Sequence, residues 1–272
     1  MIKINCELPA MLLEQNNVLN DIDFVLFHLF DKYPLYRSYF TINSNLSNRT
    51  VIFDNSAYEY FVKGEKLDLD NFAETIKVIN PTYYILPDKL MDCQSTIQMV
   101  DKFIDEYRDL PGRPMAVAQG NTLEEMLICI HHYNSLGIKA IAIPFHNSFF
   151  KDLGKKAEQS IKDVFLKYYS EITEDMEYAM GRVVFMEVCK DILKKFDYVH
   201  MLGSHCPVEK IFYNGEADSM DTGYPVKLGY EGIELFKETQ KPSTIIDDFF
   251  WDELTGSQKS AICHNIQLFK EL

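Results

Sequence analysis

Short apolar runs of β character alternate with stretches of helical periodicity along most of this chain, which is the pattern of a parallel α/β architecture. The runs Phe24–Leu29, Thr50–Phe53, Tyr83–Leu86, Met115–Ala118, Ala140–Ile143 and Tyr198–Leu202 predict strands, and shorter runs at Ala217–Met220 and Val226–Leu228 predict two more. Helices fall between them. Ile97, Val100, Phe103, Ile104 and Tyr107 make one helical face, and Thr122 and Glu125 have capping-box spacing ahead of Leu123, Met126, Leu127 and Ile130. A long helix is predicted over Met176–Phe196, and a last one carries Ile262, Ile266 and Phe269. From Phe145 to Ser170 the chain makes a longer excursion, rich in aromatics and lysines, which a barrel would place near its catalytic face.

This succession suits a barrel or an open doubly wound sheet, but the glycine-rich first turn that marks the latter is missing. The predicted fold is therefore α/β, a single (β/α)8 TIM-type barrel over residues 1–272, with an insertion after strand 5 and a C-terminal helix. The length of 272 residues fits one complete barrel, and 47% hydrophobic residues can fill its core. No internal repeat, low-complexity segment or Pro/Gly/Ser-rich linker divides it.

Charge and cysteine usage narrow the setting. Cys6, Cys93, Cys129, Cys189, Cys206 and Cys263 form no CxxC or CxC pair, which predicts reduced thiols and neither a disulfide scaffold nor a structural zinc site. With no signal-peptide pattern and no apolar run of about 18 residues, the expected location is cytoplasmic, without a membrane partner. A formal charge of −14 argues against broad nucleic-acid binding but leaves room for a local basic surface. Lys151, Lys155, Lys156, Lys162 and Lys167 form one candidate stretch, and Arg182, Lys190, Lys194 and Lys195 a second, although each also reads as a solvated helix face.

Candidate chemistry comes from the polar residues beside the predicted strands. Asp54 follows Val51-Ile52-Phe53, Asp88 follows Tyr84-Ile85-Leu86-Pro87, and Gln119-Gly120 follows Met115–Ala118. His146 lies after Ala140–Ile143, Gly203-Ser204 after Val199–Leu202, and Asp221 after Ser219-Met220. In a barrel such positions meet at the C-terminal face, where catalytic groups sit, although a lone Asp after a strand also serves as a helix cap. Paired carboxylates can attack a sugar carbon and manage the proton of the departing group, and a carboxylate with a carboxamide can read a purine edge. No cofactor is implied. His28, expected in a strand, and His131-His132, expected on a helix, read as structural; His200 and His205 fit the orientation of site groups. Cys263 reads as core, and Phe249-Phe250-Trp251 as helix packing.

Four segments, in order, resemble the motifs of the guanine transglycosylases. Phe53-Asp54-Asn55-Ser56-Ala57-Tyr58-Glu59 is similar to that family's Asp-Ser-Gly-Gly-Phe-Gln, and Val117-Ala118-Gln119-Gly120 to its Val-Gln-Gly. His200-Met201-Leu202-Gly203 with Pro207 resembles its His-Leu-Met-Gly…Pro, and Asp218-Ser219-Met220-Asp221-Thr222-Gly223-Tyr224-Pro225 its Asp-x-Phe-Asp-Cys-Val-x-Pro. The resemblance implies that Asp221 is the nucleophile on C1′ and Asp54 the general acid/base. It implies that Asp88 and Gln119 read the base and that Tyr58 stacks on it, with Gly120, His146 and Gly203 lining the substrate. The chain departs from the family in its Asn55-Ser56-Ala57 turn, in Glu59, in Ile143-Pro144-Phe145-His146, and in lacking the Thr-Arg after the nucleophile motif. It also lacks the zinc subdomain that helps the tRNA enzymes dock, and in this it looks like the compact DNA-guanine transglycosylases of phages and bacteria.

The function so implied is exchange of guanine in DNA for a 7-deazaguanine such as 7-cyano-7-deazaguanine, in a bacterial or phage-infected cell. The lysines at 151, 155 and 156 would form the DNA-facing rim, and a homodimer is possible. The alternatives are the same exchange on tRNA, a non-catalytic nucleobase-binding barrel, and an unrelated barrel hydrolase.

Overall fold

The computed structural model describes residues 1–46, 48–145, 148–236 and 250–272. Eight strands, β1 (Lys3–Cys6), β2 (Asp23–Leu26), β3 (Val51–Asp54), β4 (Tyr83–Ile85), β5 (Arg113–Val117), β6 (Ala140–Ile143), β7 (Tyr198–Met201) and β8 (Ser219–Thr222), alternate with helices. They form one sheet in the order β1-β8-β7-β6-β5-β4-β3-β2. This is the α/β, (β/α)8 TIM-type class that the alternating pattern predicts. Packing divides the chain into two compact units, one of residues 22–144 and 192–200, the other of 1–21, 145–191 and 201–272.

In the 22–144 unit, β2 to β6 pair in parallel and in sequence order, with Val25 opposite Phe53, Phe53 opposite Tyr84, Tyr84 opposite Pro114 and Met115 opposite Ala140. Helix starts are set by side-chain caps. Asp68 accepts the N–H of Asn71, Asp92 that of Ser95 and Thr122 that of Glu125, each meeting a backbone donor that the first helical turn leaves over. The Thr122 cap is present as expected, but Glu125 returns its carboxylate to the N–H of Asn121 instead of closing a box on Thr122. A ladder of aromatic rings fills the space between sheet and helices. Phe53 stacks on Phe72 at 5.3 Å, and Phe27 and Phe103 meet Phe72 at 5.2 and 6.0 Å.

In the other unit, β1 pairs with β8 in register from Lys3 with Ser219 to Cys6 with Thr222. The far edge of β1 is satisfied by the segment that follows it. Asn20 exchanges two hydrogen bonds with the backbone of Cys6, and Asp21 does the same for Ile4. The excursion after β6 folds as helices Ser148–Lys155 and Gln159–Phe165, which precede the long helix Glu174–Leu193. Phe145, Phe165, Tyr169, Met176 and Met180 form a core there with Cys206 and Val208. The final helix, Gly256–Glu271, buries Ile262, Ile266 and Phe269, and its Asn265 donates to the carbonyls of Pro225 and Ile233.

Four sequence expectations change. Val226–Leu228 is helical, within Tyr224–Tyr230, because Pro225 sits in the first turn, where its fixed φ starts a helix and its missing N–H is not needed. The N-terminal strand β1 went unpredicted, so the run at 140–143 is the sixth strand and the excursion follows strand six. The strand predicted at Phe24–Leu29 ends at Leu26, and His28 lies in the helix Phe27–Lys32. Cys263 is half-buried instead of core, its thiol 3.8 Å from Oε1 of Gln15. His146 and Phe249 lie outside the described residues. All six cysteines are unpaired, and among the described residues no helix is long and apolar enough to cross a membrane.

Replacing Phe72, which meets three rings, with Ala should lower the unfolding free energy by about 3–5 kcal/mol. The exposed Phe61→Ala should stay within about 0.5 kcal/mol of wild type. Urea denaturation of the two variants checks the contrast, and equal losses would refute the assigned core.

Candidate functional site

The site in the 22–144 unit begins where β3 runs out. Asp54 ends that strand, and its carboxylate turns back to accept the N–H of Ser56 at 2.7 Å. Asn55 repeats the move, its side-chain oxygen accepting the N–H of Ala57 at 2.7 Å. Two successive side-chain-to-backbone turns drive Ser56 into the left-handed region, with φ of 57°. An L-residue there is disfavoured by about 1–2 kcal/mol. His28 holds it in place, donating its backbone N–H to the Ser56 hydroxyl at 3.2 Å and meeting the same oxygen with its ring Nδ1 at 2.9 Å. A serine thus adopts a conformation for which glycine is the usual residue.

The β3 turn is tied to the ends of the next two strands. Asn55 donates through Nδ2 to the carbonyl of Leu86 at 2.7 Å and to Oδ1 of Asp88 at 2.8 Å. Gln119, following β5, donates through Nε2 to the other Asp88 oxygen at 2.7 Å, while its own Oε1 accepts the N–H of Met91 at 2.9 Å. Asp88 is therefore a carboxylate held between two carboxamides, each oriented by a backbone bond. Burial pushes its carboxyl above the usual carboxylate range, against the opposing pull of the Asn55 and Gln119 hydrogen bonds. Gly120 is required by packing, since a Cβ there would lie 2.6 Å from that of Glu125. Tyr58, on the helix Ala57–Lys63, is 52% exposed, so it is no part of the core.

The other unit holds Asp221. It lies inside β8, which runs on to Thr222, and not after the strand's end as expected; it is opposite Asn5 of β1 and only 4% exposed. Its Oδ1 accepts the N–H of Gly203 at 2.9 Å, and Gly203 has φ of 60° in the turn after β7. Thr222 fastens that turn by donating its hydroxyl to the carbonyl of Ser204 at 2.6 Å. The ring of His205 lies 5.1 Å from that of Phe145 and is stacked at 6.3 Å on Tyr224.

The basic stretches divide. Lys151 pairs with Glu174 at 2.8 Å and Lys155 lies 3.8 Å from Asp152, while Lys156 is exposed. Arg182, read as part of a basic surface or a solvated helix face, is instead fully buried and paired with Glu209 at 2.5 Å, because it faces inward from the helix Glu174–Leu193. Among the described residues no group of three or more His, Cys, Asp or Glu side chains is placed to hold a metal ion.

The structure thus joins Asp88 and Gln119 with Asn55 in one network, Asp54 preceding Asn55 in the chain and bonding separately to Ser56, and Asp221 with Gly203 in another. Asn55, Ser56 and His28 are not among the candidate site residues of the sequence, where His28 reads as structural and Asn55-Ser56 as part of a divergent turn. The run Asp54-Asn55-Ser56, three short polar turn formers directly after a strand, is the signal that points to the first two.

The raised Asp88 carboxyl has a consequence for stability. A group that holds its proton more tightly when folded stabilises the protein most below its unfolded pKa, about 3.9, and that contribution is lost as pH rises through the folded value. The stability of wild type relative to Asp88→Asn should therefore fall as pH is raised from about 4 and then level off. Urea titrations of both proteins across that range check it, and a pH-independent difference would refute the assignment. No protein-family model matches this chain, and no curated protein matches it in sequence.

Proposed function

We propose that this protein is a base-exchange transglycosylase that replaces guanine in DNA with a 7-deazaguanine such as the 7-cyano form. The observation that carries the reading is Asp88 between Asn55 and Gln119. A guanine presents N1–H and 2-amino donors beside an O6 acceptor. Each carboxylate oxygen of Asp88 accepts one internal bond and has the valence for a second, and the Gln119 amide has a second N–H for a carbonyl. Adenine, with an acceptor at N1, would face the carboxylate lone pairs and be rejected.

By this proposal Asp221 is the nucleophile. Its carboxylate forms a bond to C1′ as the C1′–N9 bond breaks, and N9 of the departing guanine takes the proton held by Asp54. The incoming deazaguanine returns a proton from its N9 to Asp54, attacks C1′ and releases the Asp221 ester. In duplex DNA the target nucleotide must leave the stack, which costs a few kcal/mol, and the exposed Tyr58 ring is suited to receive a base. Lys151, Lys155 and Lys156 would line the phosphate path.

Denaturing electrophoresis of the protein incubated with guanine-containing duplex and a 7-deazaguanine should reveal a covalent adduct that is absent in Asp221→Ala. Asp54→Asn should slow exchange by about 10²–10⁴-fold. Adduct with tRNA but not DNA would move the substrate to tRNA, and none with either would overturn the proposal. Reversing Lys155 and Lys156 to Glu should weaken DNA binding and flatten its salt dependence, by about 0.9 in logarithmic slope for each phosphate no longer neutralised. An unchanged slope would place the rim elsewhere.

A further inference from the structure

We infer that Arg182 is a positioning residue, whose buried charge reaches the Asp221 carboxylate through a single peptide bond. The guanidinium Nη1 donates to the carbonyl of Leu202 at 2.8 Å. That carbonyl belongs to the same peptide unit as the Gly203 N–H, which donates to Asp221 Oδ1 at 2.9 Å. A cation therefore pulls on the oxygen of a peptide whose hydrogen points at an anion. The two hydrogen bonds polarise each other through the amide, and the low dielectric of the interior strengthens both. Nη2 takes the next carbonyl, that of Gly203, at 2.8 Å, so the planar fork grips the turn at two successive oxygens.

The rest of the cluster locks the fork. Nε and Nη2 meet the two carboxylate oxygens of Glu209 at 3.0 and 2.5 Å, and Glu209 also accepts from the hydroxyls of Ser204 and Tyr213. The Phe145 ring lies over the guanidinium carbon at 4.8 Å. A buried ion pair of this kind is weak evidence for stability, since an apolar pair of similar volume often serves as well or better. Two of the Arg182 bonds go to the turn that contacts Asp221, which gives the charge a task that an apolar pair could not perform. Gly203 suits the turn because its φ of 60° lies where other residues are strained.

The catalytic part of this inference rests on Asp221 being the nucleophile; the structural part does not. The test uses a double variant, Arg182→Met with Glu209→Met, which leaves neither charge buried alone. A second variant, Arg182→Lys, keeps the cation but cannot span both carbonyls. Hydrogen exchange and the proton shift of the Gly203 amide, followed by NMR in protein isotope-labelled at its glycine nitrogens, report the structural link. In either variant that folds, Gly203 should exchange about tenfold faster and its amide proton should move upfield. Single-turnover adduct formation should slow by about tenfold or more, with the apparent KM for DNA within about twofold of wild type. A folded variant with an unchanged Gly203 amide overturns the link, and a loosened amide with an unchanged adduct rate overturns its part in the chemistry. If wild type forms no adduct, the proposed function falls while the Gly203 amide still decides the link.

Discussion

A carboxylate taken out of water must be given hydrogen-bond donors, and the way this chain supplies them shapes everything around its strand ends. Asp54 receives the N–H of Ser56, Asp88 the amides of Asn55 and Gln119, and Asp221 the N–H of Gly203. Neutral donors of this kind fix a carboxylate in place without cancelling its charge, as a tight ion pair would. They also demand particular backbone. Ser56 and Gly203 both take positive φ, and Asn55 and Gln119 must each be held by a further backbone bond before they can serve as donors.

The buried cation Arg182 stands one peptide away from Asp221. Arg182 spends its fork on Glu209 and on two carbonyls of the β7 turn. A direct ion pair with Asp221 would offset the carboxylate's charge, whereas an interposed peptide orients the carboxylate through a neutral N–H. The same logic runs on a smaller scale at His28, which contacts the Ser56 hydroxyl and so sets the turn that orients Asp54.

Most of the fold was legible because strands buried on both faces read as unbroken apolar runs. Tyr83, Ala140 and Tyr198 open strands at the positions predicted. Two of the misses lie where partners distant in sequence decide the state of a short segment. Lys3–Cys6 is a strand because β8 and Asn20 satisfy its two edges, neither of which is visible locally. Val226–Leu228 is a helix because Pro225 begins one and Ile262 packs on the glycine that follows. At the candidate site, Asp54, Asp88 and Gln119 could be picked out from their place at strand ends. The roles of their supporting residues were not picked out, because Asn55 shows only as a turn former and Arg182 only as a basic residue until their partners are known.

The turn after β3 acquires a physical reading from this. A glycine pair would give such a turn its shape without side-chain help. Here the shape comes from Asn55 and Ser56, whose side chains are bonded to Ala57, Leu86, Asp88 and His28. Asn55 therefore does two things at once, closing its own turn and donating to Asp88, so the orientation of the β3 end and that of the β4 carboxylate are coupled. Substituting glycine at 55 would relieve no strain, since the positive φ is at Ser56, and it would take one of the two donors from Asp88. The turn is thus built as part of the hydrogen-bond network around Asp88, and its sequence is constrained by the neighbour it serves as much as by its own geometry.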